Sequence, residues 1–367
     1  MKFVLHTNVI SPHQLPLARE LVRHLGEDEF RYVYTETLMA ERQRMGWCAD
    51  GDSSWIRQCE VPDGDLESCE VLLSGLRDLD LFERRAQNGL RALYMSERWF
   101  KPLRVLRLFG SFDCSIPGWV RMLVPSYRKM AKRFVRWIQN DPNGRVFAIG
   151  PWAKKDMLRL GVPESKIIPW GYFVAPSVQQ SNNRTIEQSN NLKVLWVGRM
   201  LHWKRVDTIV RAVREVERVS RSARRTIQLT LVGDGPEKER LQSLATQTLK
   251  HSNTLTIEFL PSQPIDKIRE IMRSHDVYVL SSDAQEGWGA ALNEALEEGM
   301  AAIGTYEAGS SATILSDEWL FHAGDWRRLS KLLARCVEMK AAGTLRGQGI
   351  GEWSAQKAAE RLLELIG

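Results

Sequence analysis

Short apolar runs alternate with helix-length amphipathic segments along almost the whole chain, and that alternation most limits what it can fold into. The run Lys2-Phe3-Val4-Leu5-His6 predicts a first strand, broken over Thr7–Pro12. A helix is expected from about His13 to Leu25, where Leu17, Leu21 and Leu25 share a side with Ala18 and Val22 at the 3.6-residue period. Further strands are expected at 30–34, 71–73, 92–95, 145–149 and 166–168, and helices at 81–88 and 153–160. Asp-Gly-Asp at 50–52 and 63–65 reads as turns in a loop-rich region. A second series opens at Leu192-Lys193-Val194-Leu195-Trp196-Val197 and continues with strands at 228–232, 255–259, 277–280 and 301–303. Helices at 205–219 and 236–249 lie between them. Such alternation implies parallel sheets with helices on both faces, and ligands on such sheets bind where the strands end.

Between the two series lies 179–191, a run of Asn, Gln, Ser, Thr and Arg with almost no apolar residue. It predicts a linker. The expected organisation is a Rossmann-like domain over 1–178, the linker at 179–191 and a second Rossmann-like domain over 192–351, with a helix at about 352–367 packing back on the first. The fold class is α/β, two parallel sheets facing a central cleft. A length of 367 residues fits two cores rather than one. At 43% hydrophobic and 26% charged, the composition excludes disordered, collagen-like and coiled-coil chains. No apolar run reaches the roughly 18–20 residues that span a bilayer, and the start lacks the core of a signal peptide. Five cysteines without C-x2-C spacing, and scattered histidines, point to free thiols and no metal site. A cytoplasmic protein is expected.

The net charge is +6, and residues 98–137 hold ten basic residues against one acid, Asp113. A helix is expected from Pro125 to Ile138. At about 100° per residue, Arg128, Lys129, Lys132, Arg133 and Arg136 fall on one arc, and Met130, Ala131, Phe134, Val135, Trp137 and Ile138 on the other. The expectation is that the apolar arc packs on the first sheet. The cations stay available for an anionic membrane, so peripheral contact at its inner face joins the expected partners. No nucleic acid is expected.

The most informative segment is 277–303. A buried strand runs into a polar loop, then Glu286-Gly287-Trp288-Gly289, a helix holding Glu294, Gly299 and another strand. A glycine-flanked turn entering a helix aims backbone N–H groups at one place, which suits an anion or a polar sugar. This arrangement resembles the E-G-x-G-x-x-x-x-E signature of retaining GT-B glycosyltransferases of the group 1, family 4 type, with Glu286 and Glu294 at its two glutamates. Upstream, Gly198-Arg199 through Lys204-Arg205-Val206-Asp207 is similar to the family's G-R-x4-K-G-x-D, with Arg205 where a glycine is usual. Leu231–Pro236 and Phe259-Leu260-Pro261 resemble the next two strand ends of the family.

The resemblance implies a glycosyltransferase that moves a sugar, hexose-type, from a nucleotide diphosphate donor to an acceptor. It implies retention of configuration; cell-envelope polysaccharide or glycolipid synthesis is the expected setting on general frequency alone. Arg199 and Lys204 would hold the diphosphate, Glu286 the reacting sugar and Glu294 the ribose. Gly198, Gly287, Trp288, Gly289 and Leu260 would complete the donor site. The expected partners are the nucleotide-sugar donor and a glycan or lipid-linked acceptor. No cofactor beyond the co-substrate is expected. With two cations on the diphosphate no metal is required; of the Asp-x-Asp triplets at 50/52, 63/65 and 78/80 the first two read as Asp-Gly-Asp turns, and none is expected to bind a metal.

The first domain matches less well. Its first strand ends in Thr7–Gln14 without glycine. There Ser11, His13 and Gln14, with Glu97 after a later strand, are the candidates for the acceptor or phosphate side. Gly309-Ser310-Ser311-Ala312 stands where the family often ends in Glu. Two other readings stay open at this point: a nucleotide-sugar 2-epimerase of the same architecture, and a non-catalytic binder of anionic polymer or membrane.

Overall fold

The computed structural model describes residues 2–37, 53–60, 63–104, 115–177, 186–220, 225–250 and 252–367. It divides into two compact units. The first runs to Tyr172 and takes in Ala355–Gly367; the second is Phe173–Ser354.

The first unit begins β1 (Phe3–Thr7), α1 (Leu15–Leu25), β2 (Phe30–Tyr34), β3 (Ile56–Gln58), α2 (Gly64–Ser68), β4 (Val71–Ser74), α3 (Leu79–Gln87) and β5 (Arg91–Ser96). It continues with β6 (Leu103–Arg104), β7 (Ser115–Ile116), α4 (Pro125–Asn140), β8 (Arg145–Ile149), α5 (Pro151–Leu160) and β9 (Ile167–Trp170). Seven strands form a parallel sheet in the order β3-β2-β1-β4-β5-β8-β9, and β6 with β7 makes a small antiparallel ribbon. Inner strands buried on both faces need unbroken apolar runs, and Phe3, Val4 and Leu5 are fully buried. The apolar arc of α4 packs into the core through Ala131, Phe134, Trp137 and Ile138.

The second unit contains β10 (Asn191–Val197), α6 (Val206–Ser220), β11 (Thr226–Val232), α7 (Lys238–Leu249), β12 (Leu255–Leu260) and α8 (Ile265–Arg273). Then follow β13 (Val277–Leu280), α9 (Ala291–Glu297), β14 (Ala301–Thr305), α10 (Ser311–Ile314), β15 (Leu320–Phe321) and α11 (Trp326–Ala341). Its six parallel strands run β12-β11-β10-β13-β14-β15. The chain closes with α12 (Ala355–Ile366) in the first unit, where the Arg361 guanidinium lies 5.7 Å from the centre of the Trp170 ring.

Several local readings change. The Asp-Gly-Asp at 63–65 is not a free turn: Asp63 caps α2 by accepting from the Asp65 and Leu66 N–H groups, and Asp63 and Asp65 both grip Arg57. Asp78 caps α3, and Asp80 pairs with Arg133. The remaining triplet, Asp50 and Asp52, lies outside the described residues. Of the polar stretch 179–191, residues 179–185 also lie outside them; Ile186 is packed in the second core, and Asn191 opens β10.

Candidate active site

The carboxyl ends of β10, β11 and β12 are stitched together by backbone. Gly198 N–H donates to Val232 O at 3.0 Å, Met200 N–H to Asp234 O at 2.7 Å, and Gly233 N–H to Leu260 O at 3.0 Å. Gly233 sits at φ +137°, and a Cβ there would lie 1.9 Å from the Gly198 carbonyl oxygen. Only glycine fits that approach. Leu260, half-buried, thereby serves through its backbone carbonyl.

This edge brings Lys204 and Glu286 together, although 82 residues separate them. Lys204 Nζ pairs with Glu286 Oε2, and the Ser282 hydroxyl donates to the same oxygen at 2.9 Å. The Lys204 ammonium also lies 4.5 Å from the centre of the Trp203 ring. Ser281 Oγ donates to the Lys204 carbonyl at 2.6 Å, and Asp283 N–H donates to Trp203 O at 2.8 Å. Two serines at the end of β13 therefore fix the cation through its backbone and the carboxylate through its oxygen. The Thr305 hydroxyl, at the end of β14, holds the Ser282 carbonyl at 2.6 Å. Arg199 is exposed, and among the described residues it makes no ion pair.

Arg205 explains the glycine that is usual after the lysine. Its φ of +50° and ψ of +38° lie in the left-handed region, and among the described residues it is the one non-glycine residue with positive φ. The strained backbone is accompanied by a contact from Arg205 Nε to Asp207 Oδ1 at 3.3 Å.

The Glu286–Gly289 loop is clamped from β14's side. Ser310 N–H donates to Trp288 O at 2.9 Å, and Ser310 Oγ to Gly289 O at 3.0 Å. A Cβ on Gly309 would meet the Gly287 carbonyl at 2.3 Å. Gly289 has φ +93°, which leads the chain into α9. The Trp288 side chain turns inward: it is buried, its indole N–H is taken by Asn293 Oδ1 at 2.9 Å, and its ring centre lies 5.7 Å from that of Trp353.

Glu294 stands in the first turn of α9. Burial pushes its carboxyl up to about 7, against a smaller opposing pull from Arg269 and with Glu298 adding to the rise. Arg269 is itself held by Glu298 at 2.7 Å and donates to the Ala175 carbonyl at 2.6 Å. The charges of Glu286 and Glu294 are both felt at Tyr278 of β13. Its hydroxyl pKa is raised by burial and then by the charges of Glu294 and Glu286, and among the described residues the hydroxyl has no hydrogen-bond partner.

The first unit's candidates stand on the corresponding edge of the other sheet. Ser11 Oγ accepts from His13 N–H at 3.2 Å, and Ser11 O accepts from Gln14 and Leu15 N–H. Gln14 is buried, with Nε2 3.9 Å from Met95 Sδ and Oε1 without a partner. Tyr172 joins two of them: its ring centre lies 6.4 Å from that of His13, and its hydroxyl donates to Glu97 Oε1 at 2.8 Å. Glu97 Oε2 is paired with Lys101 at 2.6 Å. Burial pushes His13 down to about 4. His6, bonded through Nδ1 to Ser74 Oγ at 3.1 Å, is likewise lowered to about 4 by burial, which outweighs the opposing charges of Asp78 and Asp63.

Sequence reasoning missed Ser281, Ser282, Thr305, Ser310 and Tyr278. The signal was two serines directly after a buried strand, and one tyrosine inside Val-Tyr-Val-Leu. Among the described residues no group of three or more His, Cys, Asp and Glu side chains is placed to hold a metal ion. Among them no helix is long and apolar enough to cross a membrane.

Comparison with known proteins bears on both units. An uncharacterized glycosyltransferase of Methanocaldococcus jannaschii, MJ1069, is 28% identical over 126 residues, 34% of this chain and 30% of that protein. The chain thus matches under a third of the length of that relative. The solved glycosyltransferase of Rickettsia africae ESF-5 superposes with a TM-score of 0.65 at 15% identity, covering 99% of this chain and 97% of that one. Anabaena HepE in complex with UDP gives 0.62 at 13% identity, covering 100% and 99%. The lipopolysaccharide outer core galactosyltransferase WaaB in its apo form gives 0.61 at 13%, with the same coverage. The whole chain therefore has the GT-B fold. Residues 178–346, just under half of the chain, match the family model "Glycosyl transferases group 1".

Proposed function

We propose that this protein transfers a hexose from a nucleotide diphosphate donor to a glycan or lipid-linked acceptor, with retention of configuration and without a metal. The observation that carries the reading is the Lys204–Glu286 pair at the end of β10 and β13, with Arg199, which makes no ion pair among the described residues, on the same β10 loop. The lysine and the glutamate satisfy each other. A donor would give each a better-matched partner: the diphosphate for Lys204 and Arg199, and the sugar hydroxyls for Glu286. Charge-assisted bonds from two cations would then stabilise the negative charge growing on the departing nucleotide diphosphate. The same cations take the place a metal would fill, and no further cofactor enters.

Glu294 would accept from the ribose hydroxyls, and the backbone of Gly198 and Gly287–Gly289 would line the donor. Trp288 would act by holding that loop, since its own N–H is spent on Asn293. HepE was solved with UDP, which supports UDP as the first nucleotide to try. WaaB acts on the outer core of lipopolysaccharide by its description, which supports a cell-envelope acceptor. Ser11, His13, Gln14 and Glu97 are proposed for the acceptor side.

Calorimetric titration of UDP in the presence of EDTA tests the diphosphate assignment. Arg199→Ala and Lys204→Ala should each weaken binding by on the order of 1–3 kcal/mol, the loss expected for a charge-assisted bond. Wild-type affinity in both variants, or binding that needs a divalent ion, refutes it.

A further inference from the structure

Four of the six exposed large apolar side chains among the described residues fall within 116–124: Ile116, Trp119, Leu123 and Val124. Trp119 is 53% exposed, Leu123 70% and Val124 50%. These side chains are not on slack chain. Gly118, which opens the 3-10 turn Gly118–Leu123, lies so close to the preceding backbone that a Cβ there would be 2.3 Å from the Lys101 carbonyl oxygen. Arg121 Nη1 and the Tyr127 hydroxyl both donate to Trp99 O, at 2.9 and 3.3 Å. Trp99 in turn is buried, its ring centre 4.8 Å from that of Phe134 in the core. The turn is fastened to the core while its large apolar side chains face water, a costly arrangement without a partner.

The turn runs directly into α4. The apolar arc of that helix is already occupied by the core, so α4 does not lie on a membrane by inserting its own apolar face. Its basic arc is free: Arg133 is taken by Asp80 and Glu83, but Arg128, Lys129, Lys132 and Arg136 make no ion pair among the described residues. We propose that this surface docks on an anionic bilayer. Trp119, Leu123 and Val124 enter the headgroup–acyl boundary, and the four cations of α4 face the lipid phosphates. A second copy meeting this patch about a two-fold axis would set cations against cations. Nucleic acid would engage the cations and leave the aliphatic side chains in water.

The test is flotation of the full chain with phosphatidylcholine vesicles, either pure or with about 30% phosphatidylglycerol, an anionic surface of the kind that attracts polybasic segments. The wild type should float with the anionic vesicles only, and less at high salt, where screening is shorter-ranged. Arg128→Gln, Lys129→Gln, Lys132→Gln and Arg136→Gln together should reduce partitioning by about 100-fold or more, since each cation near such a surface is worth roughly fivefold. Trp119→Ser with Leu123→Ser should reduce it by about tenfold or more. All these side chains are exposed, so the thermal midpoint should not change, which separates lost docking from lost folding. The proposal is overturned if the wild type stays in solution, binds both vesicles equally, or floats as well in either variant. It is also overturned if light scattering shows a dimer that Leu123→Ser abolishes.

Discussion

The two sheets share a strand order and differ in what stands where their strands end. Counting strands within each sheet, both run 3-2-1-4-5-6, and the first adds a seventh. At the edge of the second sheet, glycine backbones meet within a Cβ radius, and a lysine, an unpaired arginine and two glutamates surround the loops. At the edge of the first, Gly75 has only ordinary neighbours, the nearest 3.7 Å from a Cβ, and the polar groups are His6, Ser11, His13, Gln14 and Ser74, with Glu97 neutralised by Lys101. Burial keeps both histidines uncharged at neutral pH. Strand order sets which edge receives a ligand; the residues on that edge set its charge. One edge gathers cations and close-packed backbone, the other hydroxyl, amide and uncharged imidazole groups.

The largest test of that contrast is steric. Gly233→Ala should destabilise the second unit by about 3 kcal/mol or more, through backbone overlap and a disfavoured φ. Gly75→Ala should stay within about 0.5 kcal/mol. Urea unfolding of both variants checks this, and equal midpoints would remove the distinction between the edges.

The next test is pH. Glu294 titrates near 7 when folded and near 4.5 in its ordinary state, so between those values the folded chain holds a proton that the unfolded chain has released. Stability from this group is present below about 4.5, is lost as pH rises through 7 and stays lost above. Glu294→Gln should therefore stabilise the protein above pH 7 by on the order of 2–3 kcal/mol, with the difference closing toward pH 4.5. The first edge should behave oppositely. His6, lowered from 6.5 to about 4, costs stability as pH falls through that interval. Melting curves of Glu294→Gln and His6→Gln against pH measure both signs; parallel profiles would sink the comparison.

The smallest effect is expected at Arg205. Replacement by glycine relieves a left-handed backbone at about 1–2 kcal/mol, but loosens the unfolded chain and removes a half-exposed contact to Asp207. A net gain of about 0.5 kcal/mol is expected from these opposing magnitudes. A loss above about 1 kcal/mol would show that the Asp207 contact outweighs the strain.

Much of this was legible in the residues because it rests on patterns with little ambiguity. Strands buried on both faces announce themselves as apolar runs, so Phe30–Tyr34, Arg145–Ile149 and Val277–Leu280 were read to the residue. Glu286 and Lys204 were legible through spacing and neighbours, though their pairing was not. What escaped was chemistry whose residue types serve many ends. Asp63 reads as a turn former because a cap and a turn ask the same of an aspartate. Ser281 and Ser282 belong to what reads only as a polar loop, and only three-dimensional proximity shows what each hydroxyl holds. The short strand Ile56–Gln58 escaped because an edge strand carrying Arg and Gln has no apolar signature.

The close approach of Gly233 to Gly198 has a consequence for redesign. The loops after β10 and β11 share backbone bonds and lack room for even one extra carbon at their meeting point, so neither can be lengthened, shortened or grafted from a relative by itself. Attempts to change the donor preference proposed for this edge should exchange both loops together or leave both alone. Variation is better directed at side chains that project from them, Arg199 first.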